Sequence, residues 1–282
     1  MSSDSTISAP VTPRPWLAAW TLCARELVRF FRQPNRVVGA IGQPIIFWVL
    51  FGAGMSSTFR MSNAETEGPS YFAYFFPGTI VLIVLFTAIF ATISIIEDRR
   101  EGFLQSVLVA PLPRWSMVLG KVLGGTLIAM IQAAVFLLLG LTVGLHFTPL
   151  GVIAILAWLF IIALSLTTLG FVIAWRMDST QGFHAIMSVF LLPMWLLSGA
   201  FFPAPDNYNW LGWIIRLNPL TYGVAGLRRL LYWDAADTAR AAALPADLPA
   251  AWLCGLVTIG FMGLMFAAAW KISGQRTTGD LL

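Results

Sequence analysis

Between Lys121 and Arg176 the chain holds not one Asp, Glu, Lys or Arg. A helix needs about 20 apolar residues to cross the hydrocarbon core of a bilayer. The stretch is too long for one crossing and long enough for two, and His146, Phe147, Thr148 and Pro149 mark a turn between them. Four further uncharged runs, residues 37–59, 68–96, 179–205 and 248–270, suit one crossing each. The pattern predicts an all-α polytopic membrane protein with six transmembrane helices, at about 37–57, 76–96, 119–145, 150–175, 181–201 and 250–270. Composition agrees: 11% of the 282 residues are charged and 58% hydrophobic, where soluble domains carry about 25% charged residues.

The basic residues set the expected orientation. With the N-terminus inside, the inner segments hold Arg14, Arg25, Arg29, Arg32, Arg36, Arg99, Arg100, Arg114, Lys121, Arg176, Lys271 and Arg276, and the outer ones Arg60, Arg216, Arg228, Arg229 and Arg240. Twelve against five favours cytoplasmic N- and C-termini. The net charge of +4 thus reflects topology, and no nucleic-acid partner is expected. Residues 1–14, rich in Ser, Thr and Pro, read as a disordered tail without a cleavable signal, residues 35–275 as the membrane domain, and residues 276–282 as a cytoplasmic tail.

Three segments stand outside simple spans. In residues 15–34, Trp16, Trp20, Cys23, Leu27 and Phe31 recur at helical spacing, with Arg25, Arg29 and Arg32 on the opposite face. Such a helix suits the membrane interface, and Pro34 breaks it before the first span. Residues 97–111 open with the charges Glu97, Asp98, Arg99, Arg100 and Glu101, then Gly102 and Phe103, and continue with Leu104, Val107 and Leu108 on one face until Pro111. This short amphipathic stretch suits docking in a partner's groove or packing on the protein's own cytoplasmic ends. Residues 197–232 hold two apolar helices too short to span, which look re-entrant or interfacial.

Catalytic chemistry is missing. Neither His146 nor His184 has a Cys or carboxylate at metal-ligand spacing, so no metal site is expected, and Cys23 and Cys254 suggest no disulfide framework. Asp206, His146 and Arg216 are the best polar group an enzyme could assemble, and no motif spacing supports them. No span holds a carboxylate, which disfavours a self-contained secondary carrier. The phosphate-binding pattern G-x-x-x-x-G-K-[ST] is absent, since Val122 and Ile272 follow the only lysines, Lys121 and Lys271. Energy for active transport would come from another polypeptide. The alternatives are a secondary transporter and a non-catalytic membrane scaffold.

From about Trp16 to Lys271 the sequence resembles ABC-2 type permeases, the membrane-spanning subunits of ABC exporters of drugs, lipo-oligosaccharides, polysaccharides and lipids. The resemblance rests on the arginine-bearing N-terminal helix ending at Pro34, on Glu101, Gly102 and Leu104 followed by Val109, Ala110, Pro111 and Arg114, and on Leu119, Gly120 and Lys121. It is strongest at Leu197, Ser198, Gly199, Phe202 and Pro203, then Asn218, Pro219, Leu220, Thr221, Tyr222 and Arg228. Phe103 and Asn209 depart from the usual pattern. The resemblance implies a dimer with a second copy or related permease in the bacterial inner membrane, bound to two copies of a cytoplasmic P-loop ATPase that carries the ATP and Mg. It implies no cofactor in this chain. It makes Asp98, Arg99, Arg100, Glu101, Gly102, Phe103, Leu104, Val107 and Leu108 an ATPase-docking coupling helix, with Trp16, Trp20, Arg25, Arg29 and Arg32 on the interface helix. Phe47, Trp48, Phe51 and Trp195 become candidates to line the path of an amphipathic drug, lipid or lipid-linked glycan.

Overall fold

The computed structural model describes residues 14–55, 71–145, 147–201, 210–234, 244 and 248–275. Among them the secondary structure is helical throughout, without strands. The helices are α1 (Pro15–Phe31), α2 (Pro34–Met55), α3 (Tyr71–Ala91), α4 (Ile93–Arg100), α5 (Phe103–Val109), α6 (Arg114–Leu137), α7 (Pro149–Ala174), α8 (Thr180–Leu196), α9 (Trp210–Leu217), α10 (Pro219–Leu231) and α11 (Ala251–Ser273). A 3₁₀ turn, Leu138–Val143, extends α6.

Five helical stretches are long and apolar enough to cross a membrane: Val37–Met55, Tyr71–Arg100, Arg114–Thr142, Pro149–Ala174 and Ala251–Ser273. The chain is a multi-pass membrane protein. The expected crossing at 181–201 is shorter than its sequence suggests. Its helix, α8, has 17 residues, or about 25 Å at 1.5 Å per residue, because Gly199 takes a left-handed turn at φ 72° soon after it. A side chain is strained in that conformation and glycine is not.

The axis of the bundle is α3. Of its most apolar window, 83% is buried inside the protein, against 11% for α11 and 18% for α2. Helices α2, α6 and α7 pack around α3. Apolar side chains stay exposed on α2 (Ile46, Val49, Leu50), α8 (Ile186, Val189, Phe190) and α11 (Leu256, Ile259, Leu264), as expected where lipid or another membrane-embedded chain is the neighbour. Two polar pairs join helices inside the bundle: Thr87 Oγ1 donates to Gln132 Oε1 at 2.6 Å, and Thr126 Oγ1 to Thr167 Oγ1 at 3.3 Å.

At Thr92, where the Thr92 N–H bonds back to Ile89 O, α3 passes into α4. The continuous stretch Tyr71–Arg100 has 30 residues, about 45 Å of helix, against a hydrocarbon core of about 30 Å. Its charged end therefore projects past the membrane core. Tyr74 and Asp98 lie at opposite ends of this rod, about 36 Å apart along it.

Candidate functional site

The charged end of α4 is where α1, α4, α6 and α7 meet. Asp98 is fully buried and is the hub. Arg25 grips it with two parallel bonds of 2.9 Å, Arg29 adds a third at 3.1 Å, and Lys121 Nζ contacts Asp98 Oδ2. Lys121, buried on α6, also bonds Glu26 of α1, and Arg29 reaches Glu97 at 2.7 Å. Three cations (Arg25, Arg29, Lys121) thus face three anions (Glu26, Glu97, Asp98), and the exposed Glu101 lies 3.7 Å from Arg29 at the rim. Such balance is what lets charges stay out of water, since each unpaired one costs several kcal/mol. The bond to Asp98 holds the Arg25 guanidinium above its ordinary pKa, against the opposing effect of burial, and its Cζ lies 3.8 Å from the centre of the Phe103 ring.

The other side of α4 is fastened just as firmly. Arg99, 7% exposed, donates to Trp175 O at 2.6 Å, Met177 O at 3.1 Å and Asp178 at 3.2 Å. It thereby caps the carbonyls at the end of α7, where a cation also meets the negative end of the helix dipole. Arg100 donates to Asp178 O at 3.0 Å. Residues 97–100 are therefore a crosslinker, with Glu97 and Asp98 tied to α1 and α6, and Arg99 and Arg100 to the α7–α8 turn.

The expected docking residues divide accordingly. Asp98, Arg99 and Leu104 are inside; Phe103, Val107 and Leu108 are partly buried against the same core. Arg100, Glu101, Ser106 and Val109 face outward, Val109 at 84% exposure. Gly102 turns the chain from α4 into α5 with φ 76°. Trp16 and Trp20 on α1 are exposed, as is Arg32, while Arg25 and Arg29 are half-buried. Cys23, grouped by its spacing with the aromatics, lies instead on the buried face with Ala19, Leu22, Glu26 and Phe30. That face seats on a groove in α6 cut by small residues: a Cβ on Gly120 would come within 2.6 Å of Ala19 O, and one on Gly124 within 2.7 Å of Glu26 Cβ. Ser116, one turn before Gly120, donates to Pro15 O at 2.5 Å.

Glu26, Lys121, Gly120 and Gly124 escaped the sequence reading as a contact set. The signal for them was local. Glu26 is the only acid in α1 and recurs with Leu22 and Phe30 on an apolar stripe, which calls for a buried cation. Ser116, Gly120 and Gly124 form a small-residue row of the kind that lets helices approach closely.

At the other end of the bundle, Gly199 is a second hub. Its carbonyl accepts from Tyr74 Oη at 3.2 Å and from Arg228 at 3.3 Å, and the Arg228 guanidinium sits 4.1 Å from the centre of the Tyr74 ring. Tyr71 donates to Phe201 O at 2.9 Å, and Trp195 to Gly78 O at 2.8 Å. Pro77 lacks an N–H and so frees the Ala73 carbonyl, which Tyr232 Oη fills at 2.9 Å. Burial pushes the Tyr232 phenol up to about 12, against the pull of Arg228, so it remains a donor. Asn218 caps α10 through Leu220 N and donates to Met194 O at 2.6 Å, with Pro219 in the first turn. Tyr222 donates to Arg216 O at 2.9 Å. Pro203, Asp206 and His146 lie outside the described residues.

Of the four candidate path aromatics, Trp48 and Trp195 are buried and Phe47 is partly so, while Phe51 is 37% exposed. Trp48 donates to Phe72 O at 3.2 Å and packs against Phe72, Phe76 and Phe136. Phe51 packs edge-on against Phe75 and Phe201. Among the described residues no group of three His, Cys, Asp or Glu could hold a metal ion.

Comparison with known proteins places this arrangement. Residues 18–232 match the family model described as ABC-2 type transporter, a stretch that contains both the Asp98 cluster and the Gly199 corner. The chain is 30% identical over 214 residues to the transport permease ycf38 of Cyanophora paradoxa, covering 75% of this chain and 73% of that one. It is 21% identical over 217 residues to the daunorubicin resistance ABC transporter permease protein DrrB1 of Streptomyces coeruleorubidus, covering 74% and 75%. It is 26% identical over 243 residues to nodulation protein J of Rhizobium leguminosarum bv. trifolii, covering 82% and 86%.

Proposed function

Because this chain belongs to the ABC-2 type transporter family, we propose that it is the permease subunit of an ATP-driven exporter in the bacterial inner membrane. A separate cytoplasmic P-loop ATPase, two copies per assembly, carries the ATP and Mg. A second permease completes the path, against the exposed apolar faces of α2 and α8. In this reading α8 is the sixth crossing, its 17 helical residues extended by the turn at Ser198 and Gly199, and both termini are cytoplasmic. The substrate is an amphipathic drug, lipid or lipid-linked glycan. The daunorubicin-resistance relative supports the drug class, and the apolar, aromatic-rich spans suit all three.

The observation that carries the reading is the Asp98 cluster. It joins α1, α4 and α6 by buried ionic bonds, so a push on α5 reaches α1 and the spans as one body. Interfaces of packed side chains with fixed ionic ties transmit such displacements because they do not deform continuously. The docking surface is then the outward rim of Arg100, Glu101, Ser106 and Val109, with Arg32 of α1. The buried Asp98 and Arg99 hold that rim in place.

Both native cysteines are buried, so a cysteine introduced at the exposed Val109 is the selective target for a thiol crosslinker. Val109→Cys in native membranes is expected to crosslink to a P-loop ATPase, and ATP is expected to change the yield. Val135→Cys, on the exposed apolar surface of α6, is expected to give no ATPase adduct. Equal labelling of unrelated proteins from both positions would remove the docking assignment.

A further inference from the structure

Arg228 is 1% exposed, yet among the described residues its guanidinium has a long hydrogen bond to Gly199 O at 3.3 Å and lies against Tyr74, and its Nη1 is buried without a partner. Arg229, next to it, donates from one nitrogen to Leu248 O and Pro249 O and leaves its buried Nε unpaired. Among the described residues neither arginine forms an ion pair. The contrast with Asp98 lies in charge: among the described residues, the buried Asp98, Glu26, Lys121 and Arg99 each have a counter-charge, and Arg228 and Arg229 have none. The Tyr74 ring and the carbonyl end of α10 offset part of the cost of burial, but neither supplies the pair of acceptor oxygens that a guanidinium fork matches.

We propose that Arg228, assisted by Arg229, is a binding point for a phosphate group, carried by an anionic lipid in the leaflet at this end of the bundle. The depth fits. Trp210, Trp213, Trp233 and Trp252 are exposed around α9, α10 and the start of α11, and such aromatic girdles sit at headgroup level. What covers Arg228 is the turn at Ser198 and Gly199, whose Gly199 carbonyl is shared between Arg228 at 3.3 Å and Tyr74 at 3.2 Å. Phosphate offers the guanidinium fork a pair of anionic oxygens in place of a single neutral carbonyl, so binding frees the Gly199 carbonyl from Arg228 and loosens the turn at residues 198–200. This site goes beyond the transport reading and is measured without any ATPase, so the two can fail separately.

The test is hydrogen exchange on the purified full chain in nanodiscs of dioleoylphosphatidylcholine, with or without dioleoylphosphatidylglycerol. With the anionic lipid, exchange at residues 198–200 of the wild type is expected to rise about tenfold, equivalent to about 1.4 kcal/mol, while residues 251–273 stay unchanged. Arg228→Gln abolishes the response and Arg228→Lys keeps part of it. The same response to inorganic phosphate in phosphatidylcholine discs would support the phosphate site and overturn lipid as its source. Identical exchange in the two lipid mixtures overturns the proposal on wild-type protein alone, whether or not Arg228→Gln folds. A full response in a folded Arg228→Gln overturns it as well.

Discussion

Lys121→Met is expected to destabilise the protein by about 3–5 kcal/mol, the usual cost of removing one partner from a buried ionic group. That loss lowers the apparent melting temperature by on the order of 10 °C. The substitution keeps the length and apolar stem of the side chain, so packing changes little. What changes is charge. Glu26 and Asp98 lose the cation between them, and both are buried. Arg25 and Arg29 still hold Asp98, but among the described residues Glu26 keeps only Arg25 as an ion-pair partner, at 3.5 Å. The response is for α1 to lift so that water reaches Glu26. Fluorescence-detected size exclusion after heating measures the loss. Glu26→Gln combined with Lys121→Met is expected to cost less than the sum of the two, with a coupling above about 1 kcal/mol. Additive losses would mean that the two side chains do not act as a pair.

Gly120→Leu attacks the same joint by shape. Its Cβ would come within 2.6 Å of Ala19 O and 2.8 Å of Leu22 Cβ. Backbone cannot step aside as a flexible side-chain tip can, so α1 must move off α6 and the ties of Glu26 and Arg25 are stretched with it. Overpacking of this kind costs about 1–3 kcal/mol before the ionic losses are added. Cys23 provides the readout. It is fully buried on the α1 face that seats in the groove, and burial, with Glu26 adding to it, raises its thiol pKa, which further suppresses the reactive thiolate. Maleimide labelling of Cys23 is expected to be negligible in the wild type and to rise at least about tenfold in Gly120→Leu, while buried Cys254 stays protected. A silent Cys23 in Gly120→Leu would show that the groove tolerates the wedge.

Length and polarity were legible in the sequence; orientation of faces was not. The break at Pro34, the turn before Pro149, the charged segment 97–101 and the two short helices of residues 210–231 all follow from where charge, proline and apolar runs begin and end. Lipid and protein interior are equally apolar, so periodicity does not say which stripe of a membrane helix meets which. For that reason Cys23 fell with the aromatics of α1, and nothing separated Trp48 and Trp195, both buried, from the more exposed Phe51. The roles of Asp98 and Arg99 were hidden for another reason. A charge at a membrane edge looks the same whether its partner is another subunit, water, or an arginine 73 positions away. The end of α8 depended on one glycine in a left-handed conformation, which an uncharged run of residues does not reveal.

The most direct test is to recover the tagged chain from its native membranes in mild detergent and identify by mass spectrometry what accompanies it. The expected result is a P-loop ATPase in equal amount, lost on rim charge reversal at Arg100 and Glu101 and retained when the surface charge at Lys271 is reversed. Recovery of the permease without any ATPase, after crosslinking in the intact membrane, would contradict the account and return the weight to a self-contained carrier or a scaffold.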